Sequence, residues 1–142
     1  MTPADSLQTC LAAEHATLYG YGVLGGRLAA AAPGSSSQVL AATAYVEHRD
    51  LRDRLIAEIR GLDAEPVVAE VSYATPFAIE GIDDCRRLAR LLEGRCRAAY
   101  ADAVAETLDD IRALVARALR DSAVRGTRWG APVTAFPGID DR

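Results

Sequence analysis

The chain reads as an all-α, single-domain four-helix bundle, and three observations carry that reading. Four segments repeat apolar residues every three or four positions, the spacing of one helix face. One stretch, Asp63 to Gly81, breaks the pattern with prolines and β-branched residues. Only 6% of the residues are aromatic while 50% are hydrophobic, so aliphatic side chains and alanine must fill the interior, which favours helices. At 142 residues the chain has the size of one domain and buries a core without staples.

Helix 1 is expected from Pro3 to about Ala31. A proline sits near its start, Pro33-Gly34 stops it, and its stripe is Leu7, Leu11, Leu18, Tyr21, Gly25 and Leu28, with Glu14 among them. Ser36 or Ser37 is expected to cap helix 2, whose stripe of Leu40, Ala44, Leu51, Leu55, Ile59 and Leu62 runs to Gly61-Leu62-Asp63. In AEPVVAEVSYATPFAIEG the prolines push Glu65 and Thr75 towards extended backbone. Such a long connection suits a crossover running the length of a bundle, with a short strand at VVAEV as the alternative. Asp83 and Asp84 complement the dipole of helix 3, with its stripe Cys85, Leu88, Leu92, Cys96, Ala99 and Ala103. Thr107-Leu108-Asp109-Asp110 resembles a cap for helix 4, whose inner face is Ile111, Leu114, Val115, Ala118, Leu119 and Ser122 and whose end falls near Gly126. A tail of about 127–142 follows. Its Trp129 and Phe136 are expected to pack on the bundle, and its last charged residues to fray.

All 16 basic residues are arginine, against 20 acids, and the net charge of −4 offers no general attraction to nucleic acid or an anionic membrane. The N-terminus lacks a basic region followed by an apolar run, and no segment reaches the ~20 apolar residues of a membrane span. A cytoplasmic protein is expected. Cys85 and Cys96 lie about 16 Å apart along one helix, too far for the ~6 Å of a disulfide. With Cys10 they read as buried free thiols.

The words EHATLYGYGVLG, EHRDLRDRL, LLEGRCRAAYADAV and AVRGTRWG with AFPG resemble a ferritin-like domain family of unknown function from actinobacteria, over nearly the whole chain. The resemblance implies a ferritin-like bundle with its long crossover between helices 2 and 3. The wider superfamily implies a di-iron centre with a Glu from two helices and a Glu-x-x-His from each of the others. This sequence departs from that set. Glu14 is well placed, but three residues after Glu47 stands Asp50, not His. Glu93 is about 70° off its stripe, and the inner face of helix 4 offers no ligand.

Two Glu-His pairs remain, Glu14-His15 and Glu47-His48. Adjacent residues diverge by about 100°, so one pair does not clamp one ion; the best inward couple is Glu14 with His48, with Glu47 at the margin. The expected site is a buried polar network of Glu14, His15, Glu47, His48, Arg52 and Tyr21, with Arg49 and Arg95 as other arginine partners. No catalytic residue and no cofactor is expected. The alternative is an oxidoreductase with iron or manganese on a reduced set of Glu14, Glu47, His48 and Glu93. Gly22 and Gly25 are placed on the inner face, with Gly20 and Gly26 away from it, as an allowance for close crossing against helix 2 or, alternatively, for a dimer contact. The function expected is that of a binding or assembly module. Superfamily habit implies a homodimer; a partner protein or small apolar ligand is a further expectation.

Overall fold

A computed structural model describes residues 1–139, all-helical in its regular structure. Its elements are α1 (Pro3–Ala31), α2 (Ser36–Gly61), α3 (Ile82–Glu106) and α4 (Asp109–Arg128). Pro3 begins α1 behind a Thr2 cap. The Thr2 hydroxyl accepts from Asp5 N at 3.2 Å and the Asp5 carboxylate accepts from Thr2 N at 2.9 Å, a reciprocal cap of about 1 kcal/mol. For α2 the cap is Ser35, accepting from Gln38 N at 3.1 Å, rather than Ser36 or Ser37. Gly34, at φ 74°, turns the chain tightly enough to put the cap one residue early. Helix α4 runs past Gly126 to Arg128.

Cross-helix contacts give the directions. Cys10 meets Ala99, Thr17 meets Cys96 and Cys85 meets the carbonyl of Leu24, so α1 and α3 are antiparallel. Glu14 meets His48, and α1 and α2 form a hairpin. Hence α2 and α3 run the same way, and residues 62–81 must return along the whole bundle. They do so as a strap over α1. Gln8 holds both Glu65 O and Val67 N, the His15 ring bonds Val67 O at 2.9 Å, Tyr19 lies against Tyr73, and Ile79 joins the core beside Leu24 and Leu28. The described strap has no strand; Val67, at the start of VVAEV, gives its backbone hydrogen bonds to Gln8 and His15 instead.

Helix α1 is thereby central, packed on α2, α3 and the strap, while α2 and α4 barely touch. Two apolar clusters fill the interior. One, around Leu7, Leu11, Leu55, Ile59 and Val115, closes one end; the other, around Leu24, Leu28, Leu88 and Trp129, closes the opposite end. Each fully buried leucine is worth about 2 kcal/mol. Close approach is to α3, not α2, and Gly20 makes it: a Cβ there would lie 2.5 Å from Leu92 Cδ1, whereas Gly22 and Gly25 face open space. Trp129 is buried as expected, but Phe136 is 69% exposed. The tail docks instead through Gly138, at φ 87°, where any side chain would collide with the Arg97 carbonyl. The fraying expected of the last charges concerns residues 140–142, outside the described residues. No helix among the described residues is long and apolar enough to cross a membrane.

Candidate functional site

Between the two apolar clusters lies a layer of buried charge. Glu14 on α1, His48 on α2 and Glu93 on α3 are all fully buried. His48 bridges the two acids: Nδ1 is 2.6 Å from Glu14 Oε2 and Nε2 is 2.8 Å from Glu93 Oε1. A ring that donates from both nitrogens is an imidazolium. Burial works against its charge, but the Glu14 carboxylate, and the hydrogen bonds the ring donates to both acids, outweigh that and push its pKa up to about 9.

Helix α4 closes the layer with Arg125, two turns beyond Ala118 on the inner face. Its Nε donates to Glu93 Oε1 at 3.0 Å, its Nη1 to Glu47 Oε2 at 2.8 Å, and its Nη2 to Ser122 Oγ at 3.3 Å. Burial opposes the guanidinium charge, yet the Glu93 carboxylate beside it prevails and raises its pKa. Two phenols complete the set. Tyr100 donates to Glu14 Oε1, and Tyr21 donates to Glu93 Oε1 at 2.7 Å while accepting from Trp129 Nε1 at 2.9 Å. Burial, reinforced by the neighbouring carboxylates, holds both phenols above their ordinary range and therefore protonated.

Charge balances within this layer: Glu14 and Glu93 against His48 and Arg125. That balance is what makes the burial tolerable, since an unpaired ion in a dry interior is prohibitive. For Glu93 burial alone would raise the pKa; the hydrogen bond and charge of His48, then Arg125 and Tyr21, hold it below its usual range. Three donors converge on Glu93 Oε1, while Oε2 is buried without a hydrogen-bond partner among the described residues. Beside Glu14 sits Cys96, its Sγ 4.0 Å from Oε1 and 3.1 Å from Thr17 Oγ1. Burial, then the charge of Glu14, holds that thiol well above its ordinary pKa. Ligand atoms of Glu14, His48 and Cys96 all lie within 4.8 Å of one another.

Of the residues expected in the network, Glu14, His48 and Tyr21 come together here, and Glu47 reaches it from the rim through Arg125, its side chain 46% exposed. His15 and Arg52 do not belong to it. His15 turns to the strap, and Arg52 pairs with Asp53. Arg49 likewise pairs with its neighbour Asp50. Glu93 is central rather than marginal, because α3 packs on both α1 and α4 and so buries two faces. Arg125, Tyr100 and Cys96 were not singled out for the network. The signal for Arg125 was present: the inner face Leu114, Ala118, Ser122 continues to it by one more three-residue step.

Fold and site together define a four-helix-bundle protein whose middle is a closed layer of paired charges. Residues 6–141 match the family described as Domain of unknown function (DUF4439), and the chain belongs to that family. It is similar in structure to a conserved hypothetical protein, rv2844, from Mycobacterium tuberculosis: TM-score 0.82 and 32% sequence identity, over 89% of this chain and 93% of that one. No curated protein matches the chain.

Proposed function

We propose that this chain is a non-catalytic bundle on the ferritin-like plan, in which the protein's own cations stand where a metal centre would lie, and that it acts as a cytoplasmic binding or assembly module. The observation that carries the reading is the His48 bridge. Both ring nitrogens are committed to carboxylates, so the imidazole has no lone pair to give a metal. The Arg125 guanidinium, 3.0 Å from Glu93, adds a second fixed positive charge on the same oxygen. A di-iron centre needs several carboxylates and two imidazoles facing cations; one imidazolium and one guanidinium facing two carboxylates do not fit it. The strap between α2 and α3 and the pairing of α1 with α2 support the ferritin-like plan. The similarity to a mycobacterial protein supports an actinobacterial family.

The test is the metal content of protein produced in iron- or manganese-rich medium and purified without chelator. Substoichiometric metal is the expected result. One equivalent, lost on His48→Ala, overturns the reading and favours a metal-binding oxidoreductase, for which the observation is the grouping of Glu14, His48 and Cys96. Self-association as a homodimer belongs to the same proposal, and a strictly monomeric mass by light scattering removes it.

A further inference from the structure

Two of the five tyrosines, Tyr21 and Tyr100, serve the buried layer. The other three, each from a different element, line a single cleft: Tyr19 from α1, Tyr45 from α2 and Tyr73 from the strap. Tyr19 and Tyr73 form one corner, their ring centroids 5.7 Å apart and their planes at 56°. Tyr45 is another wall, and Gly22, which has nothing within 4 Å of where a Cβ would stand, leaves room at the floor. The cleft holds about 430 Å³, within the range of small-molecule sites. It is held in shape rather than left to chance. His15 donates Nε2–H to Val67 O at 2.9 Å, which ties the strap to α1, and the Tyr73 hydroxyl accepts from Glu70 N at 3.0 Å, which braces the strap's own bend.

Charge decides what fits. Arg52 also lines the cleft, and its Nε and Nη2 pair with Asp53 Oδ1 at 2.9 Å, a half-exposed ion pair that offsets part of its charge. Glu70 has no ion-pair partner among the described residues and is the uncompensated charge of the lining. Tyrosine faces present negative quadrupoles, and a carboxylate at their rim adds to the same sign. The geometry points to an aromatic cage for an organic ammonium group, with Tyr19, Tyr45 and Tyr73 as its walls and Glu70 as its counter-charge. This inference rests on the reading of the bundle as a binding module and supplies that module's ligand class.

The experiment is isothermal titration of the full chain with choline, with its uncharged isostere 3,3-dimethylbutan-1-ol, and with benzoate. Choline binds about tenfold more tightly than the isostere, and benzoate does not bind. Tyr45→Ala, at an exposed position that carries no core contact, weakens choline about tenfold, and Tyr45→Phe restores it. Glu70→Gln weakens it severalfold, with less effect at high salt. Equal binding of choline and the isostere, a preference for benzoate, no binding of choline, or indifference to Tyr45→Ala each overturns the cage. Metal content is measured on the same protein. A metal-free chain that ignores choline sinks the cage alone, whereas a metal-loaded chain that binds choline sinks the non-catalytic reading and leaves the cage.

Discussion

The same dipeptide, Glu-His, stands at positions 14–15 and 47–48, and the two copies do opposite things. In α1 the acid turns inward and the histidine outward, so Glu14 joins the buried layer and His15 fastens the strap beside the tyrosine cleft. In α2 the histidine turns inward and the acid stays at the rim. The 100° between neighbours keeps one member of each pair out of the layer, His15 buried under the strap and Glu47 at the rim. The difference teaches how the bundle divides its labour. Inside the layer, every charge is desolvated and must meet an opposite one within hydrogen-bond reach; outside it, one hydrogen bond from His15 to the Val67 carbonyl is enough to hold the strap.

The strongest test of that division is His48→Ala. It leaves Glu14 and Glu93 facing each other without the cation between them, and the expected loss is ~3–5 kcal/mol of unfolding free energy in urea. A loss near that of an ordinary exposed hydrogen bond would refute the view of the layer as an obligatory charge balance.

Next comes pH. The folded pKa of His48 is raised from its ordinary 6.5 to about 9, so its stabilising contribution is fully present below 6.5 and disappears as pH rises through 9. Glu93 is lowered from its ordinary 4.5, so its contribution is present above 4.5 and is lost as pH falls through the depressed folded value. Stability measured by urea midpoint therefore falls on both sides of the window between 4.5 and 6.5, by a few kcal/mol over the alkaline limb. A profile flat from pH 6.5 to 9 contradicts the imidazolium assignment.

Glycines of α1 give a smaller contrast. Gly20→Ala drives a methyl into Leu92 and costs about 1–3 kcal/mol, while Gly26→Ala, with nothing within 4 Å, gains up to ~1 kcal/mol from helix propensity. Melting curves of the two variants should move in opposite directions. Last, His15→Ala removes one partly buried bond to Val67 O and costs about 1 kcal/mol globally. Its sharper readout is faster amide exchange across residues 67–73, and unchanged exchange there would mean that the strap does not depend on His15.

Much of this is legible in the sequence alone. Pro33-Gly34 and the break after Gly61 delimit the helices because backbone sterics act locally. The inward placing of Glu14 and His48 follows from a 3.6-residue period alone. Glu93 was misjudged because an angle measured from one stripe assumes one buried face, and α3 has two neighbours. Gly20 was misassigned for the same reason: the face of α1 against α3 is not the face against α2. Arg52, Arg49 and Arg95 are the arginines the sequence suggests, and Arg125 is not among them, since residue type and count do not say which arginine meets a carboxylate across 32 residues of chain.

What the sequence by itself determined is therefore the set of helices, the length of the strap and one apolar stripe on each helix. Those are consequences of short-range periodicity and of residues that stop a helix. Only the tertiary structure decided that His48 bridges Glu14 and Glu93, that Arg125 supplies the second cation, and that three tyrosines from three elements converge on one cleft. Pairing of charges and convergence of rings depend on the rotation and register of one helix against another, and those are set by the packing of the whole core.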